Sequence, residues 1–308
     1  MNHREILKHY GIRAQKSLGQ NFLVNDDILE TIAQSINITG RDILEIGPGY
    51  GALTEKILDR KPRSLTLIEL DKKMIEVLRS RIQEGSLVIP EETKFNIVEG
   101  DILKYIPGFW MEVPKKRGHS DEKWLTVWTL EKEENEHGVF SEISHYSIIA
   151  NIPYYITSPI LFRFLHELKN KPEEMVILMQ KEVGDKILRK KGHNHSYLSL
   201  ALEFSCETIK EVCSVEKENF IPTPRVDSSV LLFKRESKYD AIEARQFLKI
   251  TSLGFSTPRK KVLSNLVNTL HIGKDVLWET FKKLWLLDTA RAEEMDIEKW
   301  KDLIRMIR

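Results

Sequence analysis

The stretch Asp42-Ile43-Leu44-Glu45-Ile46-Gly47-Pro48-Gly49-Tyr50-Gly51-Ala52-Leu53-Thr54 constrains this chain more than any other. It opens as a short apolar run of the kind that a parallel strand buried on both faces needs. Three alternating glycines then break the run, and a helical pattern restarts at Ala52. Strand, tight glycine turn and helix, in that order, let a ligand lie against bare backbone.

Two ligands suit such a turn. Gly47, Gly49 and Ala52 satisfy G-x-G-x-x-[G/A], and Glu69 follows about 20 residues on, as a dinucleotide site requires. The same residues read as E-x-G-x-G-x-G, with Glu45 ahead of Gly47, the pattern of many S-adenosylmethionine sites. A plain structural turn is the third reading, and this motif alone does not choose between them.

The residues downstream extend the pattern. Leu65–Leu70 reads as a second strand ending in Glu69 and Asp71. A carboxylate there, beside the glycine turn, can hold both hydroxyls of a ribose, and a helix N-cap suits Asp71 better. Phe95–Val98 is a third strand closed by Asp101, which can accept from an adenine amine or cap the next turn. Ser147–Ala150 is a fourth, running into Asn151-Ile152-Pro153-Tyr154. Met175–Met179 is a fifth, and Cys206–Cys213 and Ser229–Phe233 look like two more. Helical stripes at Leu53, Ile57 and Leu58, then Met74, Val77, Leu78 and Ile82, alternate with the first strands, so a doubly wound α/β sheet is expected.

Asn151-Ile152-Pro153-Tyr154 is the most specific chemical signal. The exocyclic amine of adenine is a poor nucleophile because its lone pair is delocalised. Two acceptors, the Asn151 side-chain oxygen and the carbonyl of Ile152 or Pro153, favour the pyramidal nitrogen of a transition state. Tyr154 offers a ring to stack an extruded base. Phe220, in Phe220-Ile221-Pro222-Thr223-Pro224, can face the same base from a loop whose two prolines rule out regular pairing. An ordinary turn before a helix is the plain alternative.

Residues 1–24 read as a basic arm or as a lid, with Gln20 and Asn21 offering amides and Phe22 and Leu23 an apolar cover. Lys plus Arg number 47 against 46 Asp plus Glu, so nucleic-acid binding must rest on local patches. Arg189, Lys190 and Lys191 form one; Arg259, Lys260 and Lys261, placed before a helix, form another. His193 and His195 lack partners at ligand spacing, so no metal is expected and a solvated loop is. Two cysteines make no disulfide framework; with no signal-peptide core and no membrane-length apolar run, a cytoplasmic, membrane-free and monomeric protein is expected.

Together these residues resemble the small-subunit ribosomal RNA adenine dimethyltransferase family. The resemblance is carried by Ser17-Leu18-Gly19-Gln20-Asn21-Phe22-Leu23, the Glu45–Gly51 loop, Glu69, Gly100-Asp101, Asn151–Tyr154, Gln180–Val183, Phe220–Pro224 with Val226–Ser228, and Gly254-Phe255-Ser256 with Arg259-Lys260. It implies a Rossmann-like methyltransferase sheet of seven strands, the last antiparallel, as residues 1–238, with a helical RNA-binding domain over 239–308. It implies S-adenosylmethionine as methyl donor, held by Asn21, Leu23, Gly47, Gly49, Glu69, Asp101 and Asn151. The expected reaction is dimethylation of two adjacent adenosines near the 3′ end of 16S rRNA, on small ribosomal subunits during their biogenesis. Asn151, Pro153, Tyr154 and Phe220 would serve catalysis. Rival readings are a large-subunit dimethyltransferase of the antibiotic-resistance type, an assembly factor acting by binding, and a weakly supported NAD enzyme.

Two features depart from the family. A long interval separates Asp101 from Asn151, and the extra stretch, near 108–145, holds Lys115, Lys116 and Arg117 and an acidic run from Glu131. Alternation at Trp124–Leu130 predicts an added strand or hairpin there. Tyr197-Leu198-Ser199 replaces the family's usual sequence in what reads as a loop beside the site.

Overall fold

The computed structural model describes residues 1–104, 126–129, 145–168, 170–235, 241–270 and 272–307. Their contacts form two compact units: residues 1–181 with 210–233, and residues 182–209 with 234–308.

The first unit begins with α1 (His3–His9), whose capping box pairs Asn2 with Glu5 and whose Ile6 and Leu7 are buried in the core. The arm is therefore packed structure. A short strand, β1 (Phe22–Leu23), leads to α2 (Asp26–Gln34), where the Asn25 side chain accepts from the Ile28 N–H as the N-cap. Next come β2 (Asp42–Ile46), α3 (Ala52–Leu58), β3 (Ser64–Glu69), α4 (Lys72–Gln83) and β4 (Lys94–Glu99). After them lie β5 (Thr126–Thr129), β6 (Tyr146–Asn151), α5 (Thr157–Phe162) and β7 (Glu174–Gln180).

Every residue of β2 and β3 is buried, as their unbroken apolar runs require when helices cover both faces. The sheet is completed by β8 (Cys206–Val215) and, after the two-residue β9 (Phe220–Ile221), by β10 (Ser228–Arg235). Its order is β5-β4-β3-β2-β6-β7-β10-β8. Pairing is parallel from β5 across to β7. The end of β7 adjoins the start of β10, since the Lys181 N–H donates to the Asp227 carbonyl at 3.0 Å, so β10 runs against its neighbour. Eight strands replace the expected seven because β5 adds to the edge beside β4. It is the strand that the Trp124–Leu130 alternation predicts; the rest of the 108–145 insertion, with its basic and acidic runs, lies outside the described residues apart from His145.

Strands β3, β4 and β5 lie to one side of β2, and β6 and β7 to the other. The order reverses between β2 and β6, and in open α/β sheets the crevice at such a point receives the ligand. The turn leaving β2 is fixed by packing as well as by dihedrals. Gly51 sits at φ +88°, and a Cβ there would come within 2.8 Å of Leu78. Below it the buried Arg81 donates to the Tyr50 carbonyl and pairs with Glu55, tying the turn to α4.

One expectation is corrected here. Phe220 and Ile221 do pair regularly, antiparallel with β1, Leu23 opposite Phe220 and Phe22 opposite Ile221. The prolines end this pairing, since the first of them, Pro222, follows directly and brings no N–H to a ladder.

The second unit is helical: α6 (Lys181–Ile187) and α7 (Tyr197–Ser205), then α8 (Ala241–Gly254), α9 (Val262–Leu270), α10 (Lys274–Lys283) and α11 (Ile297–Met306). Leu200 and Phe204 of α7 share a core with Phe247, Val262, Leu266, Leu277, Phe281 and Trp300. Phe204 stacks on Phe247 with ring centres 4.1 Å apart, which groups residues 182–209 with this unit rather than with residues 1–238; the expected boundary at 238/239 itself lies outside the described residues. A Cβ on Gly254 would collide with the Trp300 ring, so that glycine serves close helix packing. Two further readings change. Tyr197–Ser199 opens α7 behind a Ser196 cap rather than forming a loop. His195 is half-buried, 3.0 Å from Arg189 and 3.8 Å from Glu203, and burial lowers its pKa; it is not a solvated loop side chain.

Candidate active site

At the C-terminal ends of β2, β3, β4 and β6 lies a cavity that opens to solvent. Asn21, Leu23, Gly47, Gly49, Glu69, Asp101, Asn151, Pro153, Tyr154 and Phe220 all line it. The six basic residues expected to contact RNA belong to the helical unit. Arg189 there is 3.7 Å from Glu203 and Lys261 3.0 Å from Asp288, while Arg259 and Lys260 are exposed.

The β2 turn is built from backbone. Gly47 and Gly49 have φ of +66° and +57°, conformations that glycine adopts at no steric cost. A Cβ on Gly49 would press to 3.1 Å from the Phe22 ring. The Gly49 N–H donates to Glu69 Oε2 at 3.1 Å, and the Leu70 and Asp71 N–H groups donate to Oε1 at 2.9 Å each. A carboxylate offers about four acceptor positions, so one remains on Oε2. A ribose hydroxyl can donate to Oε2 with all three backbone bonds kept. Burial, the dominant influence, raises the Glu69 pKa against the pull of those three bonds. Beneath the turn, Glu45 is fully buried and accepts from the Thr54 hydroxyl at 2.7 Å; burial, with the Glu69 charge adding to it, pushes its carboxyl up to about 8. Glu45 is thus a neutral acid at physiological pH.

Asp101 caps the turn after β4, its Oδ1 accepting from the Leu103 N–H at 3.0 Å, and the residue also lines the cavity. Asp71 caps α4 through Lys73. Its other oxygen accepts from Gln15 at 3.1 Å and from Gln20 at 2.8 Å, fastening the arm over the sheet.

The β6 turn differs. Among the described residues the Asn151 side-chain amide makes no hydrogen bond, and neither does the Ile152 carbonyl. The Pro153 carbonyl accepts from Ile156 at 3.2 Å within its own turn. Of the two carbonyls that the sequence left open, Ile152 has its lone pairs free. Tyr154 is half-buried, its hydroxyl 2.8 Å from Ser228 Oγ at the start of β10, and burial raises its pKa. Phe220 is buried in β9, and Leu23 and Phe220 enter the cavity together because β1 and β9 pair. Tyr155, 64% exposed, stands at the cavity wall beside Gly19, whose added Cβ would meet it at 3.3 Å.

Sequence reasoning missed the Ser228 contact with Tyr154, the place of Tyr155, and the Gln15 and Gln20 bonds to Asp71. Only Gly19, a left-handed residue just ahead of Gln20, hinted that the arm bends against something.

The fit to a nucleoside sulfonium rests on these observations: two carboxylates at adjacent strand ends with acceptor positions left, a glycine turn exposing backbone, and an unpaired amide at the switch point. A family model described as "Ribosomal RNA adenine dimethylase" matches residues 11–308. Curated relatives named "Ribosomal RNA small subunit methyltransferase A" include one from Dehalococcoides mccartyi, 31% identical over 97% of this chain and 90% of its own length. Another, from Fusobacterium nucleatum, is 33% identical over 95% of this chain and 97% of its own. Among solved structures, a dimethyladenosine transferase from Plasmodium falciparum aligns with a TM-score of 0.66 at 22% identity, over 91% of this chain and 94% of that one. The 23S rRNA methyltransferase ErmE aligns with a TM-score of 0.64 at 19% identity, over 92% and 98%. Both structures share the fold.

Proposed function

The chain belongs to the ribosomal RNA adenine dimethylase family, and on that premise we infer that it dimethylates the N6 amines of two adjacent adenosines near the 3′ end of 16S rRNA, within small ribosomal subunits. It is an S-adenosylmethionine-dependent methyltransferase. The observation that carries the reading is the pair of open acceptors at the end of β6, the Asn151 amide oxygen and the Ile152 carbonyl, in the same cavity as the glycine turn. The small-subunit substrate is favoured over the large-subunit one by relatives that carry the small-subunit name over nearly their whole length.

Glu69 would hold the ribose of the cofactor and Asp101 its adenine amine, with Gly47 and Gly49 supplying bare backbone and Asn21 and Leu23 closing over it. When bound there, S-adenosylmethionine supplies a methyl group already activated by its sulfonium. The protein's own part is orientation. Asn151 and Ile152 accept from the two N–H groups of the target amine and favour its pyramidal form, while Pro153 stiffens the turn that aims them. Tyr154, braced by Ser228, and Phe220 would hold the extruded adenine between rings. The amine's proton can leave to solvent, so no general base is assigned. Among the described residues no helix is long and apolar enough to cross a membrane; a cytoplasmic monomer is the expected form.

The test is methyl transfer from labelled S-adenosylmethionine to unmethylated small subunits, with the RNA digested to nucleosides. Dimethyladenosine from small but not large subunits supports the reading. Label confined to large subunits, or none on either, overturns it.

A further inference from the structure

Helix α10 ends in a way that its stability does not ask for. The Leu286 N–H donates to the Phe281 carbonyl at 2.9 Å and the Trp285 N–H to that of Lys282 at 3.0 Å. This is a Schellman ending, and Leu286 and Phe281 are both buried in one apolar cluster. The residue after the C-cap in such a motif must be left-handed, and glycine fills that place at no steric cost. Here it is Trp285, at φ +56° and 93% exposed, with Leu287 71% exposed two residues on. A bulky residue in that conformation is a genuine outlier, and its side chain recovers nothing by burial. The indole is held out at a cost to the fold.

The two segments that meet here carry uncompensated positive charge once the internal pairs are counted. Lys282 is spent on Glu279 at 2.7 Å, and Lys261 on Asp288 at 3.0 Å. Both acids are thereby neutralised, and Arg259, Lys260 and Lys283 remain exposed with no ion pair among the described residues. The Arg259–Lys261 loop is tied to the segment after Trp285 twice, by the Lys261–Asp288 pair and by the Val262 N–H donating to the Ala290 carbonyl at 2.9 Å. Trp285 lies three residues before Asp288, within about 11 Å of it along the chain. An exposed π face beside uncompensated positive charge matches an unpaired nucleotide: the base stacks and its flanking phosphates meet the cations. A lipid headgroup or a carboxylate side chain would use the charge but brings no planar ring to stack against the indole.

We propose that Trp285, with Arg259, Lys260 and Lys283 around it, is a stacking platform for an unpaired nucleotide of the RNA on which the enzyme acts. The proposal rests on the rRNA reading above and locates a contact of the helical unit far in sequence from the cavity residues.

The experiment compares the full-length protein with Trp285→Gly and Trp285→Phe by thermal unfolding and by titration against three probes: unmethylated small subunits, protein-free small-subunit rRNA and an unstructured RNA oligonucleotide. Because glycine is what the motif prefers, Trp285→Gly should melt at the same temperature or higher. It should bind all three probes about 5- to 150-fold more weakly, the span of one lost base stack, with Trp285→Phe retaining most of the affinity. Unchanged binding by Trp285→Gly overturns the proposal, and so does a lowered melting temperature, which would make the indole a structural part. Weaker binding to subunits alone, with both RNA probes unaffected, overturns it in favour of a ribosomal protein as partner. Failure of the wild type to methylate small subunits strikes the functional reading instead; the oligonucleotide titration still decides the platform.

Discussion

Two turns leave neighbouring strands at the switch point, and they are built on opposite principles. The turn after β2 satisfies itself: Glu69 takes three backbone N–H groups, Thr54 donates to Glu45, and Arg81 fastens Tyr50 from below. The turn after β6 leaves the Asn151 amide and the Ile152 carbonyl open while bracing everything around them, through the Pro153–Ile156 bond and the Tyr154–Ser228 contact. A site that binds a cofactor gains from rigid, prepaired backbone. One that must act on a transition state gains from acceptors with nothing to give up when charge develops. On the proposed function, the first turn would carry affinity and the second rate.

The largest expected effect comes from emptying the second turn. Asn151→Ala should lower kcat about 10²–10³-fold and change S-adenosylmethionine affinity only a few-fold, as read by single-turnover kinetics beside calorimetry. Equal losses in both would erase the distinction.

Next is the pH dependence written into the first turn. Folded Glu45 keeps its proton to about pH 8, while an unfolded glutamate ionises near 4.5. Between these values the native state binds more protons than the unfolded state, so stability falls as pH rises, by at most about 1.4 kcal/mol per pH unit. The contribution is complete below 4.5 and lost through 8. Glu45→Gln should flatten the melting temperature against pH over that window; a slope equal to the wild type's would mean that Glu45 ionises freely.

Gly51→Ala forces a Cβ toward Leu78 at φ +88° and should cost about 1–3 kcal/mol of stability, measured by denaturant titration. A loss under about 0.5 kcal/mol would show a turn more pliable than its packing suggests. The smallest effect is Tyr154→Phe, which keeps the ring and loses only the Ser228 contact. A loss of about 0.5–1.5 kcal/mol, a rate drop of roughly tenfold or less, is expected; a drop as large as that of Asn151→Ala would move the hydroxyl into the chemistry.

How much of this was legible in the chain follows the range of each interaction. The glycine turn, the strand-end carboxylates and Asn151–Tyr154 are local patterns, and every candidate cofactor and catalytic residue drawn from them lines one cavity. The alternation around Trp128 announced an extra strand, and β5 is there beside β4. What escaped was pairing between distant segments. Nothing near Phe220 says that it will lie opposite Leu23, and nothing near Gln20 names Asp71 as its acceptor. The helical stripes predicted a second core but not that Phe204, far upstream, would stack into it.

The sequence by itself determined the main strands of the sheet, the tight glycine turn and the chemistry available at each strand end, because these depend on neighbours within a turn or two. Only the tertiary structure decided that the Pro153 carbonyl accepts from Ile156 while that of Ile152 accepts from nothing among the described residues, and that Glu69 takes three backbone N–H groups. It alone left Trp285 in the open. Each of those depends on which distant donor, acceptor or apolar surface arrives to satisfy a group, and that is a property of packing.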